Sequence, residues 1–140
     1  MQAYAAAKSL TNITCLPYQP MEKLSGSLSA ADLHLVVMGD PFVGIVHPCK
    51  IYNILMLGIP FLFVGPDESH GADLARRLGD PVRGRVAHNG DVAAIVQQLR
   101  EALQQCALQP GDSARKLGGE YAFSILCPRL VRIVEQAGRS

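Results

Sequence analysis

The 140-residue sequence has little charge, few aromatic residues and no tryptophan. Charged residues make up 18% of it, and the formal net charge is +1. Nucleic-acid-binding surfaces normally show clustered lysine and arginine, and this chain has no such run. We therefore expect no nucleic-acid partner. The hydrophobic share of 49% is enough for one compact domain with a buried core and argues against disorder.

Cysteine is also sparse, and the spacing of the four residues excludes the usual short metal-binding motifs. The cysteines are Cys15, Cys49, Cys106 and Cys127. We expect free thiols in a reducing cytosol and no metal site. The most hydrophobic region, 42–65, is interrupted by polar residues and by Pro48 and Pro60. It predicts a buried helix followed by a buried strand rather than a membrane span.

The first ten residues lack the basic start and apolar core of a secretory signal peptide. Ala3 and the run Ala5–Ala7 instead predict the end of a helix that leads into a strand. We expect residues 1–11 to be this lead-in helix and linker. A chain that opens in this way is expected to be a truncated gene, a product of a misplaced start codon or half of a split protein.

Short apolar segments alternate with helical patterns in the rest of the chain. Strands are predicted at 13–16, 33–38, 61–64 and 85–87. Helices are predicted after Pro20, from Pro48 to Gly58, at 73–78, from Asp91 to Cys106, at 114–121 and around 130–138. The alternation predicts an α/β fold with a doubly wound, Rossmann-like parallel sheet, whose ligands bind at the carboxyl edge. We divide it into a nucleotide-sugar-binding domain at 12–109 and C-terminal helices at 110–140, with a linker over 109–112.

The loop between the second predicted strand and the Pro48 helix has the features of an anion site. Gly39 and Gly44 allow the backbone to approach a ligand, and the free N–H groups at a helix start attract phosphate. Lys50 lies in the first helical turn, where a cation is unfavourable unless an anion binds beside it. Asn53 falls on the same side of the helix. These residues predict a cradle for a diphosphate and its ribose.

The same residues suggest a family. The segment GIVHPCKIYNIL at 44–55, followed by GIP at 58–60, resembles the donor-site motif of glycosyltransferase family 4. The likeness is closest to bacterial enzymes of polysaccharide, O-antigen and colanic-acid type. The segment NITCLPYQP at 12–20 resembles the strand and turn beside the nucleotide base, and AADLHL at 30–35 resembles a strand entry of the family. A looser likeness reaches Ser124 and 127–130, so the resemblance covers most of the chain.

The resemblance implies the C-terminal, donor-binding half of a two-domain GT-B fold. It implies donor diphosphate and sugar contacts at Gly44, Ile45, Val46, His47, Pro48, Cys49 and Lys50. It also implies a ribose contact at Asn53 and base contacts at Leu16 and Tyr18. His47 is equally compatible with an ordinary loop position.

The chain departs from the family pattern at three positions. Many members carry two glutamates separated by seven residues, and these positions fall on Ile45 and Asn53. Asn53 can still hydrogen bond to a diol without a charge, whereas Ile45 cannot act as a carboxylate. Cys49 stands where serine is usual and keeps a weak donor.

The implied activity is transfer of a sugar, with retention of configuration, from a nucleoside-diphosphate sugar to a lipid-linked or polysaccharide acceptor. We expect the donor to be a UDP-sugar, and we expect no cofactor or metal. The acceptor domain and the catalytic residues are expected in a missing N-terminal domain, so the isolated chain is expected to be inactive. Three alternatives stay open: a non-catalytic donor-binding subunit of a split transferase, half of a sugar-nucleotide epimerase, and a doubly wound binding or signalling module. We expect a cytoplasmic location, with peripheral association to the inner face of the plasma membrane through the missing half.

Several polar residues have simpler interpretations as structural groups. His34 is expected to be a hydrogen-bonded core or edge residue, and Tyr52 to pack. His70 and His88 lie in turn-like sequences and are expected to be exposed. Asp67 and Glu68 follow a predicted strand and are interpreted either as sugar contacts or as helix caps. Arg76 and Arg77 are expected on a solvated helix face.

Overall fold

A computed structural model describes residues 1–105 and 111–138 of the chain. In these ranges a parallel sheet of three strands runs in the order β1 (His34–Val37), β2 (Phe61–Val64) and β3 (Gly84–Ala87). The helices are α1 (Gln2–Ala7), α2 (Leu24–Ser29), α3 (Lys50–Leu57), α4 (His70–Leu78), α5 (Val92–Gln105), α6 (Asp112–Gly119) and α7 (Phe123–Ala137). Short 3-10 turns occupy Met21–Lys23 and Asp40–Phe42.

The central strand β2 organises the sheet. All four of its residues are apolar and buried, as expected for a strand covered on both faces. It pairs with β1 through His34 and Phe61 and with β3 through Phe61 and Gly84, both in parallel register. The predicted strands at 33–38, 61–64 and 85–87 are therefore confirmed, with end shifts of at most one residue.

Helices cover the two faces of the sheet unequally. On one face Phe61 and Phe63 join a core with buried residues of α3, α4 and α6. On the other face a smaller core joins Leu62 and Val64 to Leu99 of α5. This arrangement confirms a mixed α/β fold with a small parallel sheet.

The second face of β1 is left open. Leu35 and Val37 point away from the main core and are 48% and 62% exposed. Successive side chains of a strand point to opposite faces, so the same strand buries His34 and Val36. Strand β1 thus presents an apolar surface that α5 does not cover.

Several predicted helix ends are confirmed by their capping geometry. Helix α3 ends at Gly58 in the left-handed conformation, with φ of 73°. The side chain of Asp91 accepts a hydrogen bond from the Ala94 N–H at 2.9 Å and caps α5. The α5 pattern was predicted to reach Cys106, which lies outside the described residues.

The strand predicted at 13–16 is wrong. Residues 13–20 have no regular secondary structure, and Leu16 is 71% exposed. A strand needs a neighbour for its backbone and a face to bury, and among the described residues the sheet pairs only β1, β2 and β3. The apolar run at Ile13 is too short to form a strand without such a neighbour.

The C-terminal elements begin earlier than predicted. Asp112, assigned to a linker, is the first residue of α6, and α7 begins at Phe123 and contains Pro128. Gln109 and Pro110 of the predicted linker lie outside the described residues. None of the residues 123–137 is buried, so α7 contributes an exposed, largely apolar helix. In the described parts of the chain no helix combines the length and apolarity needed to cross a bilayer.

Candidate functional site

The loop that leaves the carboxyl end of β1 remains open at its tip. Residues 44–50 are exposed apart from the half-buried Pro48, and Ile45 is 76% exposed. Gly44 has φ of 74°, and no described heavy atom lies within 4 Å of the position that a Cβ would take there. The loop is therefore accessible to a ligand and is not filled by packed side chains.

Part of the loop backbone is already hydrogen bonded within the loop. The N–H groups of Ile45 and Val46 both donate to the carbonyl oxygen of Phe42, at 3.1 and 3.0 Å. The Cys49 N–H donates to the His47 carbonyl oxygen at 2.8 Å, and the Cys49 thiol donates to the same oxygen at 3.4 Å. The amides at Ile45 and Val46 are thus committed to the turn in this conformation. Their predicted contact with a donor diphosphate stays a prediction and requires the turn to rearrange.

Helix α3 begins at Lys50, two residues after Pro48, with Cys49 as its N-cap residue. The first turn holds no acidic side chain, so Lys50 places a cation beside the positive end of the helix dipole. Lys50 is exposed, and its positive charge helps to lower the pKa of His34 on β1. The predicted helix start is thus confirmed to within a turn.

The start of α4 lies next to this loop. The ring of His70, the first residue of α4, lies 4.9 Å from the ring of His47 in an edge-to-face contact. The Tyr52 ring of α3 lies 5.9 Å from His70. Both helices follow strands of one parallel sheet and so begin at its carboxyl side. The contact brings the N-terminal ends of α3 and α4 together.

The junction between α6 and α7 completes a cluster of rings, which we call the histidine–tyrosine cluster (His47, Tyr52, His70 and Tyr121). Tyr121 lies 4.8 Å from Tyr52 and 5.9 Å from His70, measured between ring centroids. Arg77 of α4 donates to the Tyr121 hydroxyl and, at 2.7 Å, to Glu120. The guanidinium of Arg77 also lies 5.7 Å from the centre of the Tyr121 ring.

Sequence reasoning missed this cluster. His70 was expected to be exposed, yet it is half-buried and no described residue offers a hydrogen bond to its buried Nε2. Arg77 was expected on a solvated face, and its side chain is 47% exposed but bonded to the α6–α7 junction. Tyr52 does pack, as predicted. The four rings come from separate segments, so only the tertiary structure brings them together.

The environment of His70 keeps its imidazole neutral. Burial lowers the pKa of His70 most, and the neighbouring His47 and Arg77 lower it further, while Asp73 opposes them. The same cluster raises the pKa of Tyr52, chiefly through burial and secondly through Tyr121. Both effects favour the uncharged forms that can pack together.

Asn53 lies on a different side of α3 from the cluster. It lines an apolar groove of about 250 Å³ between α2 and α3, together with Met21, Leu24 and Leu28. A groove with apolar walls and polar groups at Asn53 and Ser25 can accept a nucleobase or a sugar ring. The predicted ribose contact at Asn53 therefore has a groove beside it.

The two residues predicted to contact the base are separated from Asn53. Tyr18 is fully exposed, and Leu16 lines a different groove with Glu22 and Gly26. The structure thus does not bring Leu16 and Asn53 into one groove. Their roles as base and ribose contacts stay predictions that would require residues 12–20 to move.

A second, polar cleft lies at the carboxyl ends of β2 and β3. It has a volume of about 310 Å³ and is lined by Asp40, Pro66, Asp67, Glu68, His88 and Asn89. The side chain of Asn89 donates to the Met38 carbonyl oxygen at 2.8 Å and to Asp40 at 2.7 Å. His88 is exposed, as predicted, and its Nε2 lies 3.5 Å from Asp67. Ser69, rather than Asp67 or Glu68, caps α4 by accepting from the Ala72 N–H.

Among the described residues, no group of three or more His, Cys, Asp or Glu side chains is placed to hold a metal ion. His34 is satisfied structurally, with Nε2 donating to the Leu28 carbonyl oxygen at 2.9 Å. Burial lowers the pKa of His34, against the effect of this hydrogen bond, and the charge of Lys50 lowers it further. The core role predicted for His34 is confirmed.

Comparisons with family models, with curated proteins and with solved structures find no match to this chain. The resemblance to glycosyltransferase family 4 therefore rests on the motif at 44–60 and its two flanking segments. It stays a prediction.

Proposed function

We propose that this chain is the nucleotide-sugar-binding part of a glycosyltransferase with a GT-B fold and a doubly wound, Rossmann-like donor domain. One observation carries the proposal: His47 and His70 are in contact at 4.9 Å, which joins the open loop before α3 to the first residue of α4. Two helix N-terminal ends thus meet beside an accessible turn on the carboxyl side of the sheet.

This geometry suits two linked phosphates. The positive end of the dipole makes each helix start favourable for an anion, although the Ser69 side chain already accepts a hydrogen bond from the Ala72 N–H at the start of α4. A diphosphate carries two charged groups a few ångströms apart, so one group can lie at each of the two helix starts. The motif resemblance at 44–55 points to the same loop from an independent direction.

Lys50 supplies the positive charge of the proposed diphosphate site. A lysine in the first turn of α3 opposes the helix dipole in the unliganded chain. A bound diphosphate offsets that repulsion, because its negative charge attracts both the lysine and the positive end of the helix dipole. Lys50 then stabilises the diphosphate as it leaves the sugar, which is where charge develops in the transfer reaction.

The polar cleft of Asp67, Glu68 and Asn89 offers acceptors for sugar hydroxyls near the same edge of the sheet. Carboxylates accept hydrogen bonds from hydroxyl groups and provide the directional contacts that distinguish sugars. In this proposal the donor diphosphate lies at the α3–α4 starts and its sugar extends toward this cleft. The acceptor and the groups closest to it come from another domain.

Isothermal titration calorimetry with UDP-glucose tests the proposal. We expect weak, saturable binding that Lys50→Ala and Asn53→Ala each weaken by about tenfold, since each removes one polar contact. Lys116→Ala is the matched control, because it removes an equally exposed lysine from α6 and should leave the affinity unchanged.

Equal affinity in all variants would remove Lys50 and Asn53 from the site. Absence of saturable binding with both UDP-glucose and GDP-mannose would contradict the proposed function itself.

A second candidate, a donor-binding subunit that works with a separate acceptor-domain chain, is favoured by the exposed apolar surfaces. Leu35 and Val37 on β1 and the apolar residues of α7 are solvent-exposed in the isolated chain. Exposed apolar surface of this extent is typical of protein interfaces. Sugar transfer that appears only when this chain is mixed with the product of an adjacent gene would favour this candidate, whereas transfer by this chain alone would contradict it.

A further inference from the structure

The His47–His70 contact lies between the proposed diphosphate site and the interior of the histidine–tyrosine cluster. His47 belongs to the exposed loop, whereas His70 is half-buried at the start of α4. The two rings meet edge to face at 4.9 Å, with an interplanar angle of 69°. A charge placed on the loop is therefore felt by both imidazoles.

One ring nitrogen of His70 lacks a hydrogen-bond partner among the described residues. Its Nε2 is buried, and no described residue forms a hydrogen bond with it. A buried nitrogen without a partner is costly, and such groups occur preferentially at functional sites.

The surroundings of His70 disfavour a positive charge before a ligand binds. The loop supplies His47, α4 supplies Asp73 and Arg77, α3 supplies Tyr52, and the α6–α7 junction supplies Tyr121. Of these groups Arg77 is a permanent cation and is itself paired with Glu120. Asp73 is the one carboxylate in this set and already accepts a hydrogen bond from Arg76.

We propose that the His47–His70 pair takes up one proton when the donor diphosphate binds, so that donor affinity depends on pH through this pair. The inference rests on the proposed function, because it names the regulation of that same site. The proton comes from solvent and adds to a neutral imidazole, and no covalent bond to the donor forms. The resulting imidazolium carries a positive charge beside the bound anion, which is the interaction that favours the proton uptake.

The direction of the pH dependence follows from linkage. Burial lowers the pKa of His70 in the free chain, and a neighbouring anion raises it in the complex. The complex therefore binds more protons than the free chain between those two pKa values, and affinity rises as pH falls through that window. The second imidazole stays neutral, because two imidazolium rings in contact repel each other.

Calorimetry of UDP-glucose binding in two buffers with different ionisation enthalpies measures the proton uptake directly. UDP-glucose suits this test because its diphosphate is esterified at both ends and does not titrate near neutral pH. At about pH 7 we expect an uptake of about one-half to one proton per donor bound, and an affinity about tenfold higher at pH 6 than at pH 8.

Variants assign the proton to the pair. His47→Asn/His70→Asn should abolish the buffer dependence, whereas His34→Gln, a control on β1 outside the histidine–tyrosine cluster, should preserve it. Circular dichroism establishes that the double variant is folded. The side-chain 15N shifts of the wild-type histidines give a second readout that needs no variant, since ligand addition should move one ring of the pair toward the imidazolium shift.

The outcomes separate the two proposals. Binding of UDP-glucose with no proton uptake, or with uptake that survives in a folded double variant, overturns this inference and leaves the proposed function standing. No saturable binding of either UDP-glucose or GDP-mannose at any pH overturns both.

Discussion

Burial lowers the pKa of two histidines in this protein, but their rings have different surroundings. His34 is 7% exposed on β1, and its Nε2 donates to the Leu28 carbonyl oxygen, so its ring is a structural link between β1 and α2. His70 has its ring inside a cluster of aromatic side chains and a nitrogen without a described partner. The first histidine is satisfied in the free chain, and the second is not.

The two depressed histidine pKa values predict acid sensitivity of the fold. The unfolded chain titrates near the ordinary value of 6.5, and the folded chain titrates lower at His34 and at His70. The unfolded state therefore binds more protons as pH falls below about 6.5, and the free energy of unfolding decreases until the folded pKa values are passed. Urea unfolding between pH 8 and pH 5 measures this decrease.

His34→Gln should make that pH dependence shallower, because it removes one of the two titrating groups and keeps a side-chain donor near Leu28. His88→Asn is the control, since the His88 ring is 62% exposed. An unchanged slope in His34→Gln would show that His34 titrates alike in the folded and unfolded chains.

Residue roles set by local chemistry were predictable from the sequence, and roles set by distant neighbours were not. Asp91 was recognised as a cap because the helix it begins follows directly, and His34 as a core residue because it lies in an apolar strand. The half-buried position of His70 and the contacts of the exposed Arg77 were missed, because nothing in their own segments indicates Tyr121. Arg77 and Tyr121, for example, are 44 residues apart in the sequence.

Helix α6 packs closely against α3, and a glycine makes this approach possible. A Cβ built on Gly118 would lie 2.8 Å from the backbone nitrogen of Met56 and 3.0 Å from the carbonyl carbon of Leu55. Backbone atoms of a buried helix cannot move aside as a flexible side chain can. Helix α3 begins at the proposed site, so α6 supports the element that carries Lys50.

Gly118→Ala should therefore destabilise the protein, by about 2 kcal/mol in the free energy of unfolding, because overpacking outweighs the better helix propensity of alanine. Gly119→Ala is the neighbouring control, because no described atom lies within 4 Å of its Cβ position. The control should be neutral or slightly stabilising in the same urea titration. Equal stability of the two variants would contradict the close approach of α6 to α3.

Elements with a strong pattern of their own were predicted well. Strand β2 and helix α5 have continuous or periodic apolar residues, and the structure has them where the sequence indicates. The run at 13–16 was misassigned because a short apolar segment forms a strand only beside another strand. The early start of α7 was missed because the prediction followed only the apolar residues from Leu130 onward, whereas the helix begins at Phe123 and continues through Pro128.

At the scale of the whole molecule, the candidate site combines segments that are separate in sequence. The loop at 44–50 meets the start of α4, and the α6–α7 junction closes the cluster behind them. The sequence predicted the loop and α3 but neither His70 nor Tyr121. It also placed base contacts at Leu16 and Tyr18, which the structure leaves exposed and apart from Asn53.

Two kinds of exposed surface on this molecule differ in their chemistry. The open face of β1 and helix α7 are apolar, whereas the carboxyl edge of the sheet is lined by polar and charged groups. Apolar surface is suited to association with protein, and a polar edge with helix starts is suited to a small charged ligand. We therefore expect ligand and protein partners to bind at distinct places.

The most direct test of the central claim is to map the amide shifts of the 15N-labelled chain by NMR during titration with UDP-glucose. We predict that the largest shifts fall on 44–50 and on 70–72, at the starts of α3 and α4, with the amides of α5 unaffected. Uridine alone, which lacks the diphosphate, should leave the amides at both helix starts unmoved. Saturable shifts confined to other residues, or none at all, would contradict the claim that these two helix starts hold a diphosphate.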